Sequence, residues 1–267
     1  MAQAYSLAAV DQLNIIFFGE MDITSAEKRL RVVMAAALQR ILLRYYDTIQ
    51  RSLAYSPFRL DSAALYAAAA AEFARSYIEL FNRYYPQYLE LLGARDAGNA
   101  SEWARNHAVE LSMQILDTSV GGCDIPLYDR MLNTARTEVN AMCNLAQMDA
   151  ALSRGFTRKR WKTFGDSKVR RTHREASGQT VPIDQPFIIG GYQMMFPCDG
   201  SLGAGVSEIA NCRCTVQYLR ISCGYSKNMV NSAQFLSQDF RIFGYFLSNF
   251  SRNSSLANSA SSRFTAP

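Results

Sequence analysis

Histidine is scarce in this chain. Only His107 and His173 occur among 267 residues, so any imidazole that moves a proton or holds a metal must be one of these two. Long apolar runs are missing as well. No stretch of 18 apolar residues exists, and even AALYAAAAAEFA is broken by Glu72. That excludes the usual membrane-spanning helix, and no membrane partner is expected. The opening segment MAQAYSLAAVDQLNIIFFGEMD has no early Lys or Arg, and Asp11, Gln12 and Asn14 interrupt its apolar residues. It does not read as a secretory signal. Chemical signatures are thin too. GGYQ and GSLGAG lack the lysine or following helix of a phosphate-cradling loop. Neither G-x-S-x-G nor H-E-x-x-H occurs, which excludes the nucleophile elbow and the helical zinc-protease site. Cysteine is sparse for a chain of this length, with six residues at 123, 143, 198, 212, 214 and 223. A secreted disulfide framework is denser and shorter, so an intracellular, reducing origin with free thiols is expected.

What is present is an ordinary globular composition, 49% hydrophobic and 19% charged, with enough apolar side chains for a core. The net charge is only +5, but its distribution is uneven. From Arg154 to Arg174 nine basic residues meet one acid, Asp166. Such a stripe can meet phosphates even on a nearly balanced protein.

The first half reads as helices. Thr24 and Glu27 have the spacing of a capping box. After them Leu30, Met34, Ala37, Leu38, Ile41, Tyr45 and Ile49 recur at three- and four-residue steps, one face of a long helix. A second helix, SAALYAAAAAEFARSYIELFNRYY, is expected to stop before Pro86. A third covers SEWARNHAVELSMQILDT. A fourth runs from Pro126, suited to a first turn, to Gly155, suited to an end. Beyond Gly155 the chain turns to Pro, Gly and short β-prone runs. In CRCTVQYL, Cys212, Cys214, Val216 and Tyr218 share one strand face and Arg213, Thr215 and Gln217 the other. The expected fold class is α+β: long N-terminal helices, then a small mixed α/β domain with short strands and a C-terminal tail. The expected divisions are an arm at 1–22, a helical region at 23–154, the small domain at 155–220 and a Ser/Asn-rich tail at 221–267.

Three constellations could carry chemistry. The first is His173 with Cys198, Cys212 and Cys214, since zinc takes thiolates and imidazole in a tetrahedron. The C-x-C step is not the usual knuckle, and the competing reading makes Cys212 and Cys214 small buried core residues. That reading is preferred, with no metal and no cofactor expected. The second is His173 as a general base, with Asp166, Asp199 or Glu208 as partner. Its alternative is a histidine that only ties loops together. His107, mid-helix, is expected to face solvent or a neighbouring helix. The third is the basic set Arg158, Lys159, Arg160, Lys162, Lys168, Arg171 and Arg174, a surface for nucleic acid through phosphate contact alone, or merely a solvated face.

Taken in order, ARTEV, KRWKT, VRRTH, GQTV, QPF and FPCDGSLGAGVSEIANCRC resemble the domain of bacteriophage Mu protein F-like minor head proteins, also called head morphogenesis proteins. The residues that carry the resemblance include Arg136, Thr137, Glu138, Asn144, Trp161, Asp166, Arg170, His173, Asp199, Glu208, Asn211, Cys212, Arg213 and Cys214. Cys198 departs from it, standing where the family usually has Gly. The resemblance implies a non-enzymatic virion protein of the head or portal vertex, present in host cytoplasm during assembly. Its implied partners are the portal protein, the major capsid protein or scaffold, other copies of itself, and double-stranded DNA bound without sequence preference. It also implies that Arg170, His173, Asp199, Glu208, Asn211, Cys212, Arg213 and Cys214 form a structural signature network. Within it Arg213 would pair with Asp199, Glu208 or Asp166. The alternative from another class is a nuclease or ADP-ribosyltransferase-like enzyme using His173 with Asp199 and Glu208, and a third option is a zinc-stabilised DNA-binding module.

Overall fold

A computed structural model describes residues 24–55, 62–95, 100–121 and 127–220. The expected arm and tail lie outside these residues. Among the described residues four long helices come first: α1 (Ser25–Tyr55), α2 (Ser62–Leu91), α3 (Ala100–Gly121) and α4 (Leu127–Ser153). Short elements follow: β1 (Arg158–Lys162), α5 (Arg171–Glu175), β2 (Thr180–Pro182), β3 (Phe187–Ile189), β4 (Tyr192–Met194), α6 (Val206–Ile209) and β5 (Thr215–Leu219). The fold is α+β, as the sequence implied. None of the described helices is long and apolar enough to cross a membrane.

Helix α1 begins at the capping box. The Glu27 carboxylate accepts from Thr24 N–H at 2.9 Å, and Thr24 Oγ1 accepts from Glu27 N–H at 3.2 Å. Two orphan amides of the first turn are thereby satisfied. The periodic face of α1 is buried through Met34, Leu38, Leu42, Tyr45 and Ile49. It packs on α2 and α4, while α2 also packs on α3.

Helix α2 does not stop at Pro86. It runs five residues further, to Leu91, with Pro86 exposed inside it. Proline there removes one helical hydrogen bond and crowds the preceding turn. Tertiary contacts outweigh that cost. Tyr85, Tyr88 and Leu89 are all buried, Tyr85 Oη donates to Asp149 at 2.5 Å, and Tyr88 Oη donates to Glu27 at 2.7 Å.

Helix α4 is the centre of the molecule. Residues 137–146 are all buried, because one side meets α1 and α2 and the other meets the strand-bearing segment. Its small residues Ala135, Ala141 and Ala146 allow close approach. Gly155 then ends the helical part at φ 72°, and its N–H donates to Leu152 O at 3.0 Å. The described residues form one compact unit.

The second half holds two small antiparallel sheets. One has the order β2-β1-β5, with Arg160 opposite both Thr180 and Gln217. The other is the hairpin β3–β4, turned by Gly190 and Gly191 at φ 57° and 88°. Gly190 is required for space as well as backbone. A Cβ there would lie 2.9 Å from Glu208 Oε1 and 3.1 Å from Thr172 Cγ2.

Candidate functional site

The signature residues converge where α5, α6 and the start of β5 meet the flank of α4. His173 lies on α5, a single helical turn following Arg170, and is 1% exposed. Its Nδ1 stands 3.4 Å from Cys214 Sγ and 3.5 Å from Cys212 Sγ. Its Nε2 stands 3.0 Å from Glu208 Oε2, which also accepts from Thr172 Oγ1 at 2.8 Å. The two thiols reach one point because they sit two residues apart on an extended chain, so both side chains fall on its inner face. The ligand atoms of His173, Cys212 and Cys214 all lie within 4.8 Å of one another. Trp161, fully buried, meets the His173 ring edge-on with centroids 5.6 Å apart.

The charges of this cluster follow from its contacts. Hydrogen bonds from Cys198 and Cys214 hold the Cys212 thiol well below its ordinary range, against the effect of burial, and His173 adds to them. Cys198 and Cys214, the donors in that exchange, are pushed up. Burial disfavours the His173 imidazolium, but Cys212 outweighs it and raises the ring's pKa. The Cys212 thiol and the His173 ring thus shift in opposite directions, each favouring the charged form of the other.

The other signature residues surround this centre. Arg213 points away from the thiols and donates to both oxygens of Asp166 at 2.7 and 2.8 Å, with its guanidinium over Phe164. The partner is therefore Asp166, neither Asp199 nor Glu208, and these hydrogen bonds are the main cause lowering the Asp166 pKa. Arg170 donates to Ala210 O. Asn211 sits in the left-handed region at φ 54°, and its N–H donates to Thr137 Oγ1 at 3.0 Å. Asp199 does not touch His173. Its carboxylate accepts from Met195 N–H at 2.9 Å, Ser201 N–H at 3.0 Å and Ser201 Oγ at 2.6 Å. It shapes the loop before α6. A small cleft opens beside the cluster, lined by Lys168, Arg170, Asn211 and Arg213 together with His173, Cys212 and Cys214.

Helix α4 explains the ARTE part of the pattern. Thr137 holds Asn211, as above. Glu138 holds His107 Nε2 at 2.5 Å and accepts from Tyr77 Oη at 3.2 Å. His107 is thus buried on a neighbouring helix, stacked on Trp103 with centroids 4.5 Å apart. Asn144 Nδ2 donates to Pro197 O at 3.0 Å, and Asn140 Nδ2 to Cys212 O at 3.4 Å. Asn140 Oδ1 in turn accepts from Arg31 at 2.7 Å. Sequence reasoning missed Arg31 and Asn140, because nothing in a helical repeat shows which buried polar residue faces which partner. Glu138 stood in the quoted pattern without a role.

The basic set divides. In β1 the side chains alternate, so Arg160 and Lys162 are exposed while Lys159 and Trp161 point inward. Lys159 is fully buried and must be withdrawn from any surface for nucleic acid. Its Nζ donates to Met195 O at 2.8 Å and lies over the Phe187 ring, and burial lowers its pKa to about 8. The period of two, applied to KRWK, would have separated these residues. Arg158 is half-buried and donates to Thr180 O. Lys168, Arg171 and Arg174 are exposed, with Arg171 bonded to Glu175 at 2.7 Å.

Residues 98–217 match the family model described as phage Mu protein F like protein. That span starts just before α3 and ends within β5, so it contains every signature residue named above. Over 92 residues the chain is 33% identical to an NAD(+)--arginine ADP-ribosyltransferase EFV of Enterococcus faecalis, which is 33% of this chain and 18% of that relative. The chain therefore spans less than a fifth of the length of that curated relative. No solved structure matches significantly.

Proposed function

Since the chain is Mu protein F-like over residues 98–217, we propose that it is a minor head protein of a tailed bacteriophage, acting in head morphogenesis at the portal vertex. The observation that carries the reading is the family match over the segment that holds the whole buried network. That network is built for rigidity, with Arg213 turned to Asp166 and Asp199 spent on loop amides. A rigid, mostly helical body suits a component that docks on other head proteins. Quantitative mass spectrometry of purified, nuclease-treated particles, with the portal protein as internal standard, tests this. A few copies per particle are expected. Complete absence from mature and immature heads would overturn it.

The same proposal places Arg160, Lys162, Lys168, Arg171 and Arg174 against packaged or translocating DNA. These side chains are exposed on β1 and around α5, and phosphate contact needs only clustered cations. Replacing Arg160, Lys162 and Lys168 with Gln is expected to weaken binding to duplex DNA at low salt. It should also reduce the slope of log K against log salt by roughly one for each lost contact. An unchanged slope would remove DNA from this face.

A second reading follows from the similarity to the ADP-ribosyltransferase: an enzyme using His173 with Glu208, which do touch. Its test is incubation of the full chain with NAD and an arginine-bearing acceptor. Label transfer that disappears in Glu208→Gln would favour the enzyme. The head-protein reading expects none.

A further inference from the structure

We propose that His173, Cys212 and Cys214 bind one zinc ion, through the imidazole Nδ1 and the two thiolates. The sequence reading left these residues as core packing, and the head-protein reading does not require a metal. The case rests on geometry.

The first argument is distance. On a tetrahedral zinc, with sulfur at about 2.3 Å and imidazole nitrogen at about 2.0 Å, nitrogen and sulfur ligands lie roughly 3.5 Å apart. Nδ1 stands 3.4 and 3.5 Å from the two sulfurs. The second argument is direction. A single N–H donates well to one acceptor, yet Nδ1 faces two sulfurs at once. One ion placed between all three satisfies them together. The third is the outer contact. Nε2 is 3.0 Å from the Glu208 carboxylate. A proton held there leaves the Nδ1 lone pair free for a metal, the arrangement by which carboxylates orient zinc-bound histidines. Gly190, pressed on Glu208 without room for a Cβ, keeps that carboxylate in place. The fourth is donor chemistry. One nitrogen and two sulfurs, all buried, suit zinc and not magnesium or calcium, which take oxygen.

Cys198, whose thiol donates to Cys212 O at 3.6 Å, is not among the three residues whose ligand atoms close on one another. The neighbouring cleft supplies an entry path. The ion would pin α5 to the chain entering β5. These elements are short, five residues each, and a small segment gains most from such a crosslink.

The test uses the full chain, produced with added zinc and without a metal-affinity tag. Elemental analysis should find about one zinc per chain. Cobalt substituted for zinc should give thiolate-to-cobalt charge-transfer absorption and the intense visible bands of a tetrahedral site. Both should vanish in the double variant Cys212→Ser, Cys214→Ser and persist in Cys143→Ala, which removes a buried thiol of α4. Because the double variant can fail to fold, a second measurement uses the unaltered chain. Chelation should lower its Tm, and zinc but not magnesium should restore it. Zinc no higher than in the buffer after reconstitution, or cobalt bands kept in the double variant, would overturn the proposal. So would a Tm indifferent to chelation.

Discussion

Glu138 is the residue on which two aromatic side chains depend. Its carboxylate meets Tyr77 Oη and His107 Nε2 in a site where the histidine is 6% exposed. Burial alone would depress the His107 pKa. The carboxylate at 2.5 Å outweighs it and raises the value above its ordinary 6.5. The sign of the consequence is fixed by linkage. Between the unfolded and folded values the native chain binds the extra proton, so this pair's contribution is complete below about pH 6.5 and fades as pH rises through the folded value. Thermal melts across this range should show Tm falling on the alkaline side. His107→Gln should be less stable in acid and should flatten the slope. An identical slope in the variant would mean that His107 does not titrate with folding.

At the scale of elements, legibility tracked whether the signal was local. The capping box at Thr24 and the helix end at Gly155 could be read because the partners are neighbours in sequence. The stop placed before Pro86 was a local inference too, and it failed because Tyr85 and Tyr88 find Asp149 and Glu27 more than sixty residues away. The cysteines show the same divide. Their shared face came from strand periodicity, but no pattern in the sequence gives the separation between His173 and Cys214, which are 41 residues apart along the chain. Lys159 was misplaced for a different reason: as a long cation among cations it read as surface, although its parity with Trp161 put it inside. The proline offers a direct check. Because Pro86 is exposed, Pro86→Ala loses no core packing and regains a helical donor. The gain is offset in part by the freer unfolded chain. A net increase of about 1–2 kcal/mol in urea unfolding is expected. A decrease would mean that the proline itself helps to seat Tyr85 and Tyr88.

Over the whole molecule, one polar chain joins the first helix to the signature loop. Glu27 and Arg31 both meet Tyr88, Arg31 meets Asn140, and Asn140 meets Cys212 O. Arg31 is 1% exposed, so its removal strands partners that have no access to water. Arg31→Met is expected to cost about 3 kcal/mol or more. It should also raise amide exchange at 211–214, far away in sequence, before the helices lose protection. Exchange confined to α1 would show that the two halves are not coupled. The same polar chain bears on how the protein is made. Arg31 waits 109 residues for Asn140, and Asn140 waits a further 72 for Cys212. A ribosome releases these groups in that order: Arg31 meets Tyr88 and Asn140 once α4 has emerged, but the Asn140 amide meets Cys212 O only when nearly the last described strand is out. Closure of the thiol cluster is then a late event that follows assembly of the helices, with long-range contacts setting its pace. A chain stalled before Cys212 would leave the ribosome as assembled helices with no lock.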